Sequence, residues 1–435
     1  MNKLSISYLI ETPLNQIKKK WLITYFFFYL ILIIFASFLY GYFLNTNLNL
    51  YDKEFNLISE NIPFSNGEII FNLQNFNKYF TEFLNIKFYL QKTPAIPILV
   101  YSLSLISENF FFIIIFKNLI FFSLYFFVAY ISIKSIHKKF SLFLVISLIP
   151  LILPYNLGVA LNFVYEDCLI AIILPSIFLL LITDYDKKYL IISVLLFILY
   201  FVKTSVLFLI LFIPLIIIMI DKKSLKKYLP LFFSLIAILI WGTYGSLKAN
   251  KFSILSNSSS FNSYVMNFAL NENFHKYYPN KSTDLIPIDN KTLPKYVDSE
   301  WKFHDYFKEK NNEYLKENLN RYIADSFIKI KFIFFGVHRD GAHPDENGNF
   351  NNKLRYSQLI SKIILNLSII ILLFKFFTNR SIFFKDKKNI YFIVILFFSL
   401  LPHVIVWATS KHLIGVINVS IIYFIFILSN IKKKI

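Results

Sequence analysis

Residues 189–220 read YLIISVLLFILYFVKTSVLFLILFIPLIIIMI. As one helix the run would be about 48 Å long at roughly 1.5 Å per residue, against a bilayer hydrocarbon core of about 30 Å. It is either one overlong span or two short helices that turn at Val202-Lys203-Thr204-Ser205. The flanking lysines decide. Lys187 and Lys188 precede the run, and Lys222, Lys223, Lys226 and Lys227 follow it. A single crossing would put these clusters on opposite sides of a membrane, whereas lysine-rich loops gather on the cytoplasmic side. A hairpin turning at Lys203 is therefore expected.

The same argument extends along the chain. Other apolar runs cover 21–44, 109–133, 140–154, 166–183, 229–247, 359–378, 390–409 and 412–431. Together with 189–202 and 204–220 they predict about ten transmembrane helices. With a cytoplasmic N-terminus, Lys134, Lys138 and Lys139, then Lys385, Lys387 and Lys388, and finally Lys432 to Lys434 all fall on the inner side, as do both termini. The expected fold is an all-α polytopic membrane protein. Its parts are an N-terminal transmembrane module (1–247) containing a first outer loop (45–108), an outer segment (248–358) and C-terminal helices (359–435).

Composition agrees. The chain has 435 residues, 56% hydrophobic and 19% aromatic, more apolar surface than a soluble core requires. A net charge of +19 raises the question of nucleic acid. The lysines lie in short clusters between spans and form no continuous basic stripe, so anionic lipid is the expected partner and nucleic acid is not. The single cysteine, Cys168, excludes a disulfide framework. Lys18 to Lys20 before the run 21–44 have the charge order of a signal peptide. That run is too long and has no small-residue cleavage site, so it is expected to remain as an anchor. Heavy use of Lys, Asn, Ile and Phe points to an AT-rich genome and makes a bacterial inner (cytoplasmic) membrane the expected location. No Gly-rich phosphate loop, His-Glu-x-x-His or nucleophile elbow occurs, which argues against nucleotide hydrolysis.

Charges inside or at the edge of a membrane are costly and carry information. Lys117 follows Phe111 to Phe116 within the second span. It either faces a protein interior or snorkels to the outer surface. Glu166 and Asp167 open the fourth span; adjacent residues diverge on a helix, so at most one aims into a given cavity. A helix N-terminus also favours them electrostatically. Lys203, His403, Lys411 and His412 place cationic groups at the outer boundary, against the inward preference, where they suit a phosphate or a lipid headgroup. Tyr51-Asp52-Lys53-Glu54 begins the first outer loop close to the membrane, and 76–90 and 301–335 read as interfacial amphipathic helices. His338, His343 and the acidic residues up to Glu346 match no metal spacing, so no metal or other cofactor is expected.

Thr93-Pro94-Ala95-Ile96-Pro97, Lys117, Pro150 to Glu166, Tyr314 to Phe335 and Ser410-Lys411-His412-Leu413, taken in this order and topology, resemble the GT-C superfamily of membrane glycosyltransferases. The nearest branch is that of protein O-mannosyltransferases and the lipid A aminoarabinose transferase. The resemblance implies transfer of a sugar, with inversion, from a polyprenyl-phosphate carrier to an acceptor on the outer side. It makes Asp52 the general base, with Glu54 as second choice, because Lys53 separates residues that are commonly adjacent in that family. It makes Glu166 or Asp167 an orienting carboxylate, Lys203, Lys411 and His412 the groups that neutralise the departing phosphate, and Lys117 a cation behind them. His403 belongs with the phosphate-binding set by its place near the outer end. Two other functions compete. A cell-surface polysaccharide polymerase or ligase acting on diphosphate-linked oligosaccharides would lean on outer-loop arginines, and the chain has only Arg321, Arg339, Arg355 and Arg380. A lipid or glycolipid transporter predicts internal repeats, and none is visible.

Overall fold

The computed structural model describes residues 11–43, 95–106, 110–152, 166–221, 224–256, 260, 300–335, 352–405 and 413–431. Among them the regular structure is helical. In chain order the helices are α1 (Lys19–Phe43), α2 (Ala95–Ser104), α3 (Phe110–Ser135), α4 (Phe140–Ile152), α5 (Glu166–Leu181), α6 (Lys188–Val202) and α7 (Leu207–Ile220). They continue with α8 (Leu229–Ala249), α9 (Glu300–Phe335), α10 (Asn352–Thr378), α11 (Arg380–Lys385), α12 (Lys387–Ile405) and α13 (Ile414–Ile431). Each of the ten apolar runs carries one of these helices. Five stretches, in α1, α3, α8, α10 and α12, are long and apolar enough to cross a membrane by length and composition; α4, α5, α6, α7 and α13 are apolar but shorter. The chain is thus an all-α protein with the helices of a membrane protein.

The run 189–220 does break at Lys203. Its backbone there is extended (φ −159°, ψ 116°), and Thr204–Val206 form a single 3₁₀ turn before α7 begins. The two helices return to the same end: the Tyr189 hydroxyl at the start of α6 donates to the Asp221 carboxylate just past α7. That bond would be out of reach in one continuous helix, so the run is a hairpin.

The other lysine-rich loops join this end. Lys139 pairs with Glu11, and the Leu14 amide donates to the Lys138 carbonyl at 3.0 Å, which fixes the N-terminal segment against the α3–α4 turn. Ser135 Oγ donates to Thr183 Oγ1 at 2.7 Å, drawing in the α5–α6 turn. Lys387 lies within electrostatic range of Lys188, and Lys388 sits 5.6 Å from the Phe426 ring centroid, drawing in α12 and the last turns of α13. Clusters far apart in sequence therefore share one end of the bundle, the arrangement that the positive-inside rule requires of cytoplasmic loops.

α5 is the centre. It packs against α3, α6, α12 and α13, and Asp167 to Leu181 are buried without interruption, as expected for a helix that is apolar all round. Pro175 inside it has no N–H to give the Ala171 carbonyl four residues earlier. Asn418 Nδ2 of α13 takes that carbonyl at 2.9 Å. The same device recurs in α4: Pro150 releases the Ile146 carbonyl, and the Tyr125 hydroxyl of α3 donates to it at 2.9 Å. Where no water can reach, a neighbouring side chain satisfies what proline leaves open. Gly415 brings α13 close to α5; a Cβ there would lie 3.0 Å from the Ile170 backbone oxygen, so a small residue is needed at this crossing.

Candidate functional site

The opposite end of the bundle is recessed. α6 and α7 have 15 and 14 residues, or about 22 Å each, whereas α3 with 26 extends about 39 Å. Measured from the lysine-rich end, the α6–α7 turn stops short of a roughly 30 Å core. The segment 251–256 covers this turn: Tyr200 donates to the Ile254 carbonyl at 2.6 Å and the Ser256 amide to Thr204 Oγ1 at 2.9 Å. α9 docks beside it through Lys251–Asp305 at 3.2 Å and a Ser260–His304 hydrogen bond at 2.9 Å.

Three of the polar residues singled out from the sequence meet in the recess. Lys203 Nζ donates to Asp167 Oδ1 at 3.0 Å, with the two side chains 16% and 4% exposed. His403, on the last turn of α12, lines the same cleft with Ser205 and Ser399, over an apolar floor that includes Leu174, Leu209 and Val416. Local sequence explains each position. Asp167 lies in the first turn of α5, where free backbone N–H groups favour a carboxylate. Lys203 occupies the extended residue that ends α6, and Pro402 precedes His403 within α12. Among the described residues Ser399 Oγ is buried without a hydrogen-bond partner, so its hydroxyl is available to whatever enters. The cleft thus combines a paired carboxylate and ammonium, an imidazole, a hydroxyl and an apolar floor around a volume of about 20 Å³, room for little more than a water, so a larger ligand would have to open it.

Lys117 stands on the other flank of α5. It is buried, at 2% exposure, so it faces the protein interior and does not snorkel, and it interacts electrostatically with Cys168, next to Asp167. Beside it, Asn118 Nδ2 donates to Ser37 Oγ of α1 at 3.1 Å. Glu166 opens α5; its side chain lies outside the described set. Asp52, Glu54, Lys411 and His412, the 76–90 stretch and the His338–Glu346 loop also lie outside the described residues.

Two cations escaped the sequence reading. Lys329 on α9 and Lys362 on α10 are each 1% exposed. Lys329 Nζ donates to the Ile405 carbonyl at 3.4 Å, and Tyr322 donates to the same oxygen at 3.0 Å. They serve the C-terminus of α12, where carbonyls lack helical partners and a cation is favoured. The signal for Lys329 was its phase: four residues before buried Ile333, it falls on the inward stripe of α9.

Comparison with known proteins finds no matching family model, curated protein or solved structure. The cleft is interpreted from its own chemistry.

Proposed function

We propose that this chain is a membrane glycosyltransferase that moves a sugar from a polyprenyl-phosphate carrier to an acceptor on the outer side of a bacterial inner membrane. The ten apolar helices act as spans, both termini lie in the cytoplasm, and the fold is of the GT-C type. The observation that carries this reading is the convergence of Asp167, Lys203 and His403, from three separate parts of the chain, in one recessed cleft. A carrier presents an apolar chain and a phosphate at the depth of such a cleft.

In this mechanism the acceptor oxygen forms a bond to the anomeric carbon as the bond from that carbon to the carrier phosphate breaks. The acceptor proton passes to a carboxylate, Asp52 with Glu54 as second choice, and the carrier phosphate leaves with the electron pair, so configuration inverts. Lys203, joined by His403, Lys411 and His412, stabilises the charge that grows on the leaving oxygen, where exclusion of water strengthens the effect. Asp167 holds Lys203 in place. Lys117 adds positive potential from behind α5.

The test is carrier-dependent transfer by purified protein, with Lys203→Ala and Asp167→Asn at equal protein levels. Loss of transfer by about a hundredfold in Lys203→Ala supports the mechanism. Activity only on diphosphate-linked oligosaccharides would replace it with the polymerase or ligase function.

A further inference from the structure

The cleft is closed in this structure, with room for little more than a water in its volume of about 20 Å³. Anything larger reaches Asp167 and Lys203 only if a wall moves, so the contacts that hold the walls together control access. One wall is the α6–α7 turn, which carries Lys203 and Ser205; another is the end of α12, which carries Ser399, Pro402 and His403. A single helix, α9, is tied to both.

The first half of α9 holds the side of the α6–α7 turn. Lys251, at the start of the segment that covers the turn, pairs with Asp305, and the Ser260 carbonyl accepts from the Asn311 side chain at 2.7 Å while its hydroxyl bonds His304. The second half holds α12: Tyr322 donates to the Ile405 carbonyl at 3.0 Å, and Lys329 donates to the same oxygen at 3.4 Å. Between the halves the helix is broken. Asn318 has non-helical angles (φ −129°, ψ 32°), and its side-chain amide donates to the Tyr314 carbonyl at 3.2 Å, a local donor at an interrupted ladder.

α12 has a weak point of its own, three residues before Ile405. Pro402 has no N–H to give the Phe398 carbonyl. Up to Phe398 the helix is anchored, since that ring stacks on Phe212 of α7 with centroids 4.0 Å apart. The last turn, with His403, lies beyond the anchor. The Ile405 carbonyl and its two donors therefore sit between two breaks, Asn318 in α9 and Pro402 in α12.

We propose that α9 is a bent clamp that keeps the cleft closed. The bend at Asn318 lets one helix hold both walls; as α9 straightens, it keeps its first set of contacts and releases the Ile405 carbonyl. The last turn of α12 then pivots at Pro402 and carries His403 away from Lys203, which opens the cleft. The ties that must break are a few hydrogen bonds of modest net strength, so the open form is within thermal reach. The clamp acts on any ligand of the cleft and does not depend on sugar transfer.

The test is access to the cleft, read without donor or acceptor. In a Cys168→Ser chain, Ser399→Cys supplies the reporter, and its rate of reaction with a small thiosulfonate reagent is measured on the full protein in lipid nanodiscs. Tyr322→Phe is expected to raise this rate about threefold to tenfold, from the loss of one hydrogen bond. Asn318→Ala, which favours a straight helix, should raise it as well. Tyr356→Phe, at an exposed tyrosine of α10, should leave it unchanged. A second reporter, Ser193→Cys at a buried position of α6, should stay slow in every background, so that a rise confined to the Ser399 position marks opening of the cleft. Unchanged rates at that position in folded Tyr322→Phe and Asn318→Ala proteins would overturn the clamp, as would an equal rise at both reporters, which marks a general loosening of the bundle.

Discussion

Removal of Lys203 from its pair with Asp167 is the most informative perturbation of the fold. Two unit charges 3.0 Å apart attract by about 5 kcal/mol at an effective dielectric of about 20. Desolvation offsets much of this, and the net coupling expected is about 2–3 kcal/mol. Lys203→Met leaves a carboxylate that is only 4% exposed without its lysine, and breaking a buried pair from one side costs about 3 kcal/mol or more. Asp167→Asn should cost a similar amount from the other side. The double variant should cost about as much as either single one, because each group's burial matters most when its partner has gone. The assay is reversible unfolding in mixed micelles, followed for all four members of the cycle. Single costs that add to within about 0.5 kcal/mol in the double variant would mean independent sites and would refute the pairing as an energetic unit.

Asn418→Leu should destabilise the bundle by about 1–3 kcal/mol, because the Ala171 carbonyl that Pro175 leaves open then has no Asn418 donor. In a Pro175→Ala background, where the helix can satisfy that carbonyl itself, the cost should shrink; equal costs in both backgrounds would exclude the exchange. Gly415→Ala should cost about 1–3 kcal/mol by unfolding in the same micelles, since the Ile170 backbone oxygen cannot move aside; a neutral effect would contradict the close crossing. Cysteines placed singly at Ser205 and Lys385 in a Cys168→Ser chain should label from opposite sides of intact cells, and labelling from the same side would reject the hairpin topology.

Much of the fold was legible because membranes impose simple rules on sequence. A run too long for one span, with lysines at both ends, had to turn back, and Lys203 marked the turn. The partnership of Lys203 with Asp167 was not legible: 36 residues separate them, and only packing of α6 on α5 makes them neighbours. Lys117 was ambiguous in sequence because an aromatic run resembles a lipid-facing surface as much as a core; packing against α5 decided for the core. Lys329 and Lys362 were missed for opposite reasons. Lys329 sits with Lys331 in the apolar end of a stretch that reads as an interfacial amphipathic helix, where a lysine is expected to reach for water, and Lys362 stands near the start of an apolar run, where a boundary lysine is ordinary.

The central claim is tested most directly by transfer of labelled sugar from purified polyprenyl-phosphate donors, comparing wild type with Asp52→Asn and Lys203→Ala at matched protein levels. The account predicts carrier-dependent transfer by wild type, lost in both variants. Transfer that survives both substitutions, or no transfer from any monophosphate carrier, would contradict it.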